Sequence, residues 1–238
     1  PGSPEPAAVV AGIERLAARA GDPQRVTWRY DPILLGPRDD FRQHEARFAG
    51  LARAVSKHVG RVVVSFLDLY RKTERRLREA GYPYFPNESP ERESERRRLL
   101  DRLSRTAAGE GLELQLCAEP GSYEREGAPA ARCVDPALLG ELFPERSFPA
   151  RKDPGQRGHC GCAPSVDLGV PDTCPRGCVY CYATRTDRLR RERHRRHDPP
   201  GESLFEVAPA LERNEIAPRE DAEGRGANER ANPRLPGL

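Results

Sequence analysis

The chain has 238 residues, 37% of them hydrophobic and 32% charged, with a formal net charge of +3. That length supports one domain and an appended segment, and a mean hydropathy of -0.77 places part of the sequence outside any core. No stretch has the apolar length of a membrane span, and the near-balanced charge, with Glu91, Glu93 and Glu95 set among Arg92, Arg96, Arg97 and Arg98, argues against a nucleic-acid surface.

Methionine is absent even from position 1, so the natural N-terminus is expected to be missing or processed. Val9, Ile13 and Leu16 stand at helical spacing and predict a helix over residues 8–20. Val26, Trp28 and Tyr30 alternate with polar residues, as in a strand that Asp31-Pro32 ends. Pro37 can open the next helix, over 38–58, where Phe41, Phe48 and Val55 recur every seven residues and Gly60 gives the stop. A buried strand is expected over 61–67, helices over 69–80 and 91–108, and a third strand through Leu112, Leu114 and Leu116, ending at Cys117. Asp135 can cap a short helix running to Leu142.

This alternation predicts an α/β fold with a parallel sheet, read as a partial or full β/α (TIM-like) barrel with a C-terminal cysteine-rich loop region. The expected organisation is a barrel portion over 1–150 lacking its N-terminal part, a cysteine-rich iron–sulfur segment over 151–189, and a polar, peripheral or disordered tail over 190–238. Few large apolar residues occur in that tail.

The seven cysteines are Cys117, Cys133, Cys160, Cys162, Cys174, Cys178 and Cys181. An odd number argues against a closed disulfide framework, and the crowding of five between 160 and 181 points to thiolates around a metal in a reducing, cytoplasmic compartment. Cys174, Cys178 and Cys181 are spaced C-x3-C-x2-C. Three thiolates on one loop can hold three corners of a 4Fe-4S cluster and leave one iron open, whereas a purely electron-storing cluster normally closes with four cysteines. A zinc ion is the alternative and would need partners from elsewhere for Cys178 and Cys181. The remaining four, Cys117, Cys133, Cys160 and Cys162, can complete a second site, either a cluster or a tetrahedral zinc. Their other reading is as small buried hydrophobes.

The motif Cys174-Pro-Arg-Gly-Cys178-Val-Tyr-Cys181 resembles the signature of the radical S-adenosylmethionine superfamily. Gly177 through Ala183 is similar to the cluster loop of spore photoproduct lyase-type proteins. The wider set resembles the bacterial family catalogued as domain of unknown function 1848. That set comprises Val26 through Leu35, Val64-Ser-Phe66 with Asp68 and Tyr70, Cys117-Ala-Glu119, Lys152-Asp153, Gln156-Arg157, and Cys160-Gly-Cys162 with Ser165, Asp167 and Gly169. The resemblance spans about residues 12–205. It implies a 4Fe-4S cluster on the triple cysteine, S-adenosylmethionine as cofactor, Tyr180 near its adenine, and an electron donor such as flavodoxin or ferredoxin. It implies no particular substrate and no catalytic residue, and a small molecule is one candidate. Two features depart from the superfamily: the triple cysteine follows the strands instead of preceding them, and no Gly-Gly-Glu is present to hold the methionyl amine. A non-catalytic metal-binding or electron-transfer protein is the alternative reading.

Arg29, Asp31 and Glu119 stand at predicted strand ends and can face one mouth, Arg29 as an anion clamp and Glu119 in proton transfer, or they can pair as structural ions. His44 and His58 are expected at the surface or at caps. His159 is a candidate supporting partner of Cys160, and His194 and His197 are not expected to be ligands.

Overall fold

A computed structural model describes residues 4–85, 90–120, 123, 128–166, 168–198 and 200–201. They fall into two compact units, one over Ser3–Leu168 and one over Gly169–Leu238 with Pro1–Gly2. Asp167 and all but the first residues of the 190–238 tail lie outside the described residues.

The larger unit is α/β. Its elements are α1 (Pro6–Ala20), β1 (Thr27–Ile33), α2 (Phe41–Val55), β2 (Arg61–Phe66), α3 (Arg71–Glu79), α4 (Pro90–Gly109), β3 (Glu113–Leu116) and α5 (Pro136–Leu142). The three strands form one sheet in the order β1-β2-β3, and both pairings are parallel. Parallel neighbours need a crossover, and α2 and the α3–α4 pair supply it. Closure of a β/α barrel takes eight strands. The described residues hold an open three-stranded sheet, so a full TIM-like barrel is not shown.

Pairing of Trp28 with Val62 and of Val62 with Leu114 sets the phase of both faces. Side chains alternate along a strand, so Trp28, Tyr30, Val62, Val64, Leu114 and Leu116 share one face. That face packs into the main core with Phe48, Ala52 and Val55 of α2 and Leu99, Leu100, Leu103 and Ala107 of α4. Trp28 stacks on Phe48 with ring centroids 5.0 Å apart, and Tyr30 meets the same ring edge-on at 5.3 Å. The opposite face carries Arg29, Asp31, Val63, Ser65, Gln115 and Cys117, and among the described residues its buried apolar cluster is Val63, Cys117 and Ala131, with Ala118 against it.

Local chemistry explains several boundaries. α2 begins at Phe41, not near Pro37, because Asp40 caps it. Gln43 N–H donates to Asp40 Oδ1 at 2.9 Å and Gln43 Oε1 accepts from Asp40 N–H at 3.2 Å, a reciprocal capping box. β1 does not end at Asp31-Pro32. The Asp31–Pro32 peptide is cis, and the strand resumes pairing at Ile33 opposite Phe66 after a register shift. His44 is buried, not superficial. Its Nδ1 lies 2.8 Å from Tyr30 Oη and its Nε2 lies 3.1 Å from the Leu34 carbonyl, and burial pushes its pKa down. It ties α2 to the end of β1.

The smaller unit contains α6 (Asp187–Arg195), which begins at the N-cap Thr186, whose hydroxyl accepts from Leu189 N–H at 3.2 Å. This helix interrupts what the sequence presents as a polar tail. Among the described residues no helix is long and apolar enough to cross a membrane.

Phe48 has no exposed surface and carries the contact of α2 with β1. Phe48→Ala is expected to cost about 3–5 kcal/mol, read as a lowered urea midpoint with an unchanged m-value.

Candidate functional site

None of the seven cysteines is in a disulfide. They divide between the two units as four and three.

The group of four is assembled from the sheet outward. Cys117 follows β3 at its carboxyl end, with Cys117 N–H bonded to the Val64 carbonyl at 2.9 Å. Beyond it the chain returns along β3. Leu116 N–H donates to Pro129 O at 2.8 Å and Ala131 N–H donates to Leu116 O at 2.6 Å, a parallel bridge between Leu116 and Ala130. This return delivers Cys133 to the face that carries Arg29 and Cys117. Ala163 N–H then bonds the Val134 carbonyl at 3.0 Å, and Cys133 N–H donates to Cys162 Sγ at 3.1 Å. Cys160 follows because a single residue separates it from Cys162. That residue is Gly161, and a Cβ there would stand 3.3 Å from the Arg132 side chain that crosses it. Cys117, Cys160 and Cys162 are buried and Cys133 is exposed.

The electrostatics of the group are uneven. Arg29 Nη1 donates to Cys133 Sγ at 2.9 Å, and the same guanidinium reaches the Cys117 thiol. Cys117 and Cys133 interact through their sulfurs. That contact, reinforced by Arg29 against the cost of burial, holds the Cys117 thiol below its ordinary value. The same contact and burial drive Cys133 upward. Burial pushes Cys160 up, with the Cys162 thiol as its neighbour.

Around this group the carboxyl edge of the sheet is polar. Arg29 pairs with Asp31 at 3.0 Å, as the structural reading of those two residues expects, and Asp31 also accepts from Ser65 Oγ. Arg157 pairs with Asp68. Glu119 is separate from the Arg29–Asp31 pair. Its Oε1 accepts from Phe66 N–H at 2.7 Å, and burial pushes its carboxyl up to about 7. His159 is exposed.

Cys174, Cys178 and Cys181 lie in the smaller unit on a stretch without helix or strand. Cys181 N–H bonds the Cys178 carbonyl at 3.0 Å, and Thr184 Oγ1 lies 3.4 Å from Cys181 Sγ. Gly177 adopts φ +66, and a Cβ there would approach Arg190 Nη2 to 3.0 Å. The left-handed backbone favours glycine there, and a side chain would need the Arg190 guanidinium to shift slightly. Tyr180 is half-buried beside Cys181 in the chain.

The loop is pinched at its base. Asp172, with a fully buried side chain, sits at φ +63, a left-handed conformation that aspartate tolerates better than most residues. Its N–H bonds the Ala183 carbonyl at 3.1 Å, and its carboxylate takes the Arg185 side chain at 2.9 Å and the Arg185 N–H. Burial opposes its charge, but the Arg185 contacts outweigh that cost and hold the carboxyl below its usual range. From α6, Arg193 donates to Pro171 O at 2.7 Å and Arg190 to Pro175 O. Arg190, with 11% side-chain exposure, also borders an open cleft that Pro175, Arg191, His194 and Arg195 line. Sequence reasoning missed Asp172, Arg185, Arg190 and Arg193. The available signal was an acid two residues before the first cysteine and arginines at 190 and 193, one helical turn apart.

All seven candidate ligands are thiols, the donor class that thiophilic metals and iron–sulfur clusters require. Among the described residues no ready-formed group of three His, Cys, Asp or Glu side chains could hold a metal ion.

Two outcomes follow from the buried carboxyls. Glu119 has a raised folded-state value, so it is protonated in the fold over a range where the unfolded chain is ionised. Stability should fall by up to about 3 kcal/mol as pH rises from the ordinary 4.5 to about 7 and then level off. Urea denaturation across that range should show a smaller decline in Glu119→Gln. Asp172 has the opposite sign: its contribution is present above the unfolded value of 3.8 and is lost as pH falls through its depressed folded value. Asp172→Ala should cost about 1.5–3 kcal/mol locally, read at neutral pH as faster proteolytic cleavage within 173–184.

A family model described as Domain of unknown function (DUF1848) matches residues 1–183. No curated protein and no solved structure matches the chain. The matched span takes in the whole parallel sheet, the four grouped cysteines and the three of the pinched loop. The chain belongs to the DUF1848 family, a domain of unknown function.

Proposed function

We propose that the chain is an iron–sulfur enzyme of the radical S-adenosylmethionine type, with Cys174, Cys178 and Cys181 holding a 4Fe-4S cluster through three of its irons. The observation that carries this reading is the arrangement of three thiols at C-x3-C-x2-C on one irregular loop, closed at its base by Asp172 and Arg185. Cys174, Cys178 and Cys181 would hold three irons of such a cluster, which would supply the one-electron reduction that cleaves S-adenosylmethionine at its C5′–S bond to methionine and, after hydrogen is taken from a substrate, 5′-deoxyadenosine.

The chain's own residues prepare the loop for that task. Arg190 and Arg193 bond the carbonyls of Pro175 and Pro171 and so hold the backbone on either side of Cys174. Gly177 lets the chain turn through a left-handed conformation beside Arg190. Tyr180 supplies an aromatic ring before the last cysteine, in the place where the resemblance puts adenine. In this reading the three strands are part of a β/α barrel, and the face bearing Arg29, Ser65 and Cys117 is its inner wall. The compartment is the cytoplasm, where thiols stay reduced, and flavodoxin or ferredoxin supplies the electron.

The test is anaerobic reconstitution with iron and sulfide, then reduction by dithionite with S-adenosylmethionine present. Release of 5′-deoxyadenosine, abolished in Cys178→Ala, is the expected result. Equal release from the variant, or zinc without sulfide on the native triple cysteine, overturns the reading.

A further inference from the structure

The four cysteines of the sheet unit are separate from the pinched loop and raise their own question. Free cysteines buried in a core are ordinary small hydrophobes, but the surroundings of these four are not those of a core. Among the described residues, the buried apolar cluster on their sheet face is Val63, Cys117 and Ala131 with Ala118 against it, far smaller than the main core on the other face. Three chain segments far apart in sequence deliver them: the end of β3, the return past Ala131, and the turn of Cys160-Gly-Cys162. Each delivery is fixed by backbone hydrogen bonds, at Cys117, at Ala131 and at Ala163. Two donors then point at sulfur. Arg29 gives a guanidinium N–H to Cys133 Sγ at 2.9 Å, and the Cys133 backbone gives its N–H to Cys162 Sγ at 3.1 Å. Donors aimed at sulfur stabilise thiolates, and four thiolates can share a face only if a cation neutralises them.

We propose that Cys117, Cys133, Cys160 and Cys162 form a second, closed metal centre that takes a thiophilic metal through four thiolates, with Arg29 as the positioning residue that donates to its sulfurs. All four positions are filled by protein, so the centre is structural or electron-carrying and has no open place for a substrate. It uses none of the cysteines of the pinched loop and does not rest on the proposed radical chemistry.

The test uses the full chain carrying Cys174→Ser, Cys178→Ser and Cys181→Ser together, titrated anaerobically with cobalt(II). The expected result is one equivalent bound, with the thiolate-to-cobalt absorption of a tetrahedral site, and its displacement by zinc. Adding Cys133→Ser and Cys162→Ser should abolish the absorption. Arg29→Met should weaken cobalt binding by about 10- to 100-fold. Where the added serines impair folding, alkylation in the first variant gives an independent reading: bound cobalt should protect Cys133, which is otherwise exposed. The proposal is overturned if the first variant binds no cobalt, if binding survives loss of Cys133 and Cys162, or if alkylation of Cys133 is unchanged by the metal. Unaltered affinity in Arg29→Met removes the role assigned to that residue.

Discussion

Parallel pairing of β2 with β1 on one side and β3 on the other determines what every other part of the larger unit can do. Once Arg29 lies opposite Val63 and Val63 opposite Gln115, alternation sends each neighbouring residue to the other face. A slip of one residue would turn Trp28 and Leu114 away from α2 and α4 and push Arg29 into the main core. The register is thus held by burial: Phe48, Leu99, Leu100 and Leu103 have no exposed surface and accept only the apolar set. The same constraint gathers Arg29, Asp31, Ser65 and Cys117 on the second face. Polar residues accumulate at the carboxyl edge of a parallel sheet, where ligands are usually met.

The pinched loop solves a different problem with different means. The loop that carries Cys174, Cys178 and Cys181 contains no helix or strand. It is stabilised by a buried carboxylate that takes both a side chain and a backbone donor from Arg185, and by arginines that satisfy the carbonyls of prolines. Removing one partner of such a set leaves a buried charge unpaired, which costs more than the pair contributes. Within the loop, Cys181 N–H bonds the Cys178 carbonyl, so the turn between the second and third cysteines is closed by its own backbone.

Much of this was legible in the sequence, for identifiable reasons. The elements carried by strong periodicity were read correctly. Leu99, Leu100 and Leu103 mark α4, and Val62 through Val64 mark a strand buried on both faces, a run without alternation that parallel sheets produce. Boundaries set by side-chain chemistry were harder. Pro37 looks like a helix opener, but the reciprocal bonds of Asp40 and Gln43 decide where α2 begins. His44 reads as a surface histidine on an amphipathic helix, and only the arrival of Tyr30 and Leu34 shows it to be buried. α6 was hidden because its arginines have the composition of a solvated tail. Their partners are the backbone carbonyls of Pro171 and Pro175, which no side-chain pattern announces.

The cysteines show the same limit from the other side. Spacing identifies Cys174, Cys178 and Cys181 as one set because they are local. No spacing links Cys117 to Cys133 or either to Cys160 and Cys162, and simple counting only left them over. Their association depends on the return of residues 129–131 along β3 and on the bond between Ala163 and Val134, contacts between segments far apart in the chain. Arg29 gives that association a chemical sense. A half-buried guanidinium could satisfy itself on Asp31 alone, and it does pair with that residue at 3.0 Å. It also extends its other amino group to a cysteine sulfur at 2.9 Å, and a thiolate is a far better acceptor there than a neutral thiol. At Cys133 the guanidinium therefore opposes the Cys117 contact and the burial that push that thiol upward.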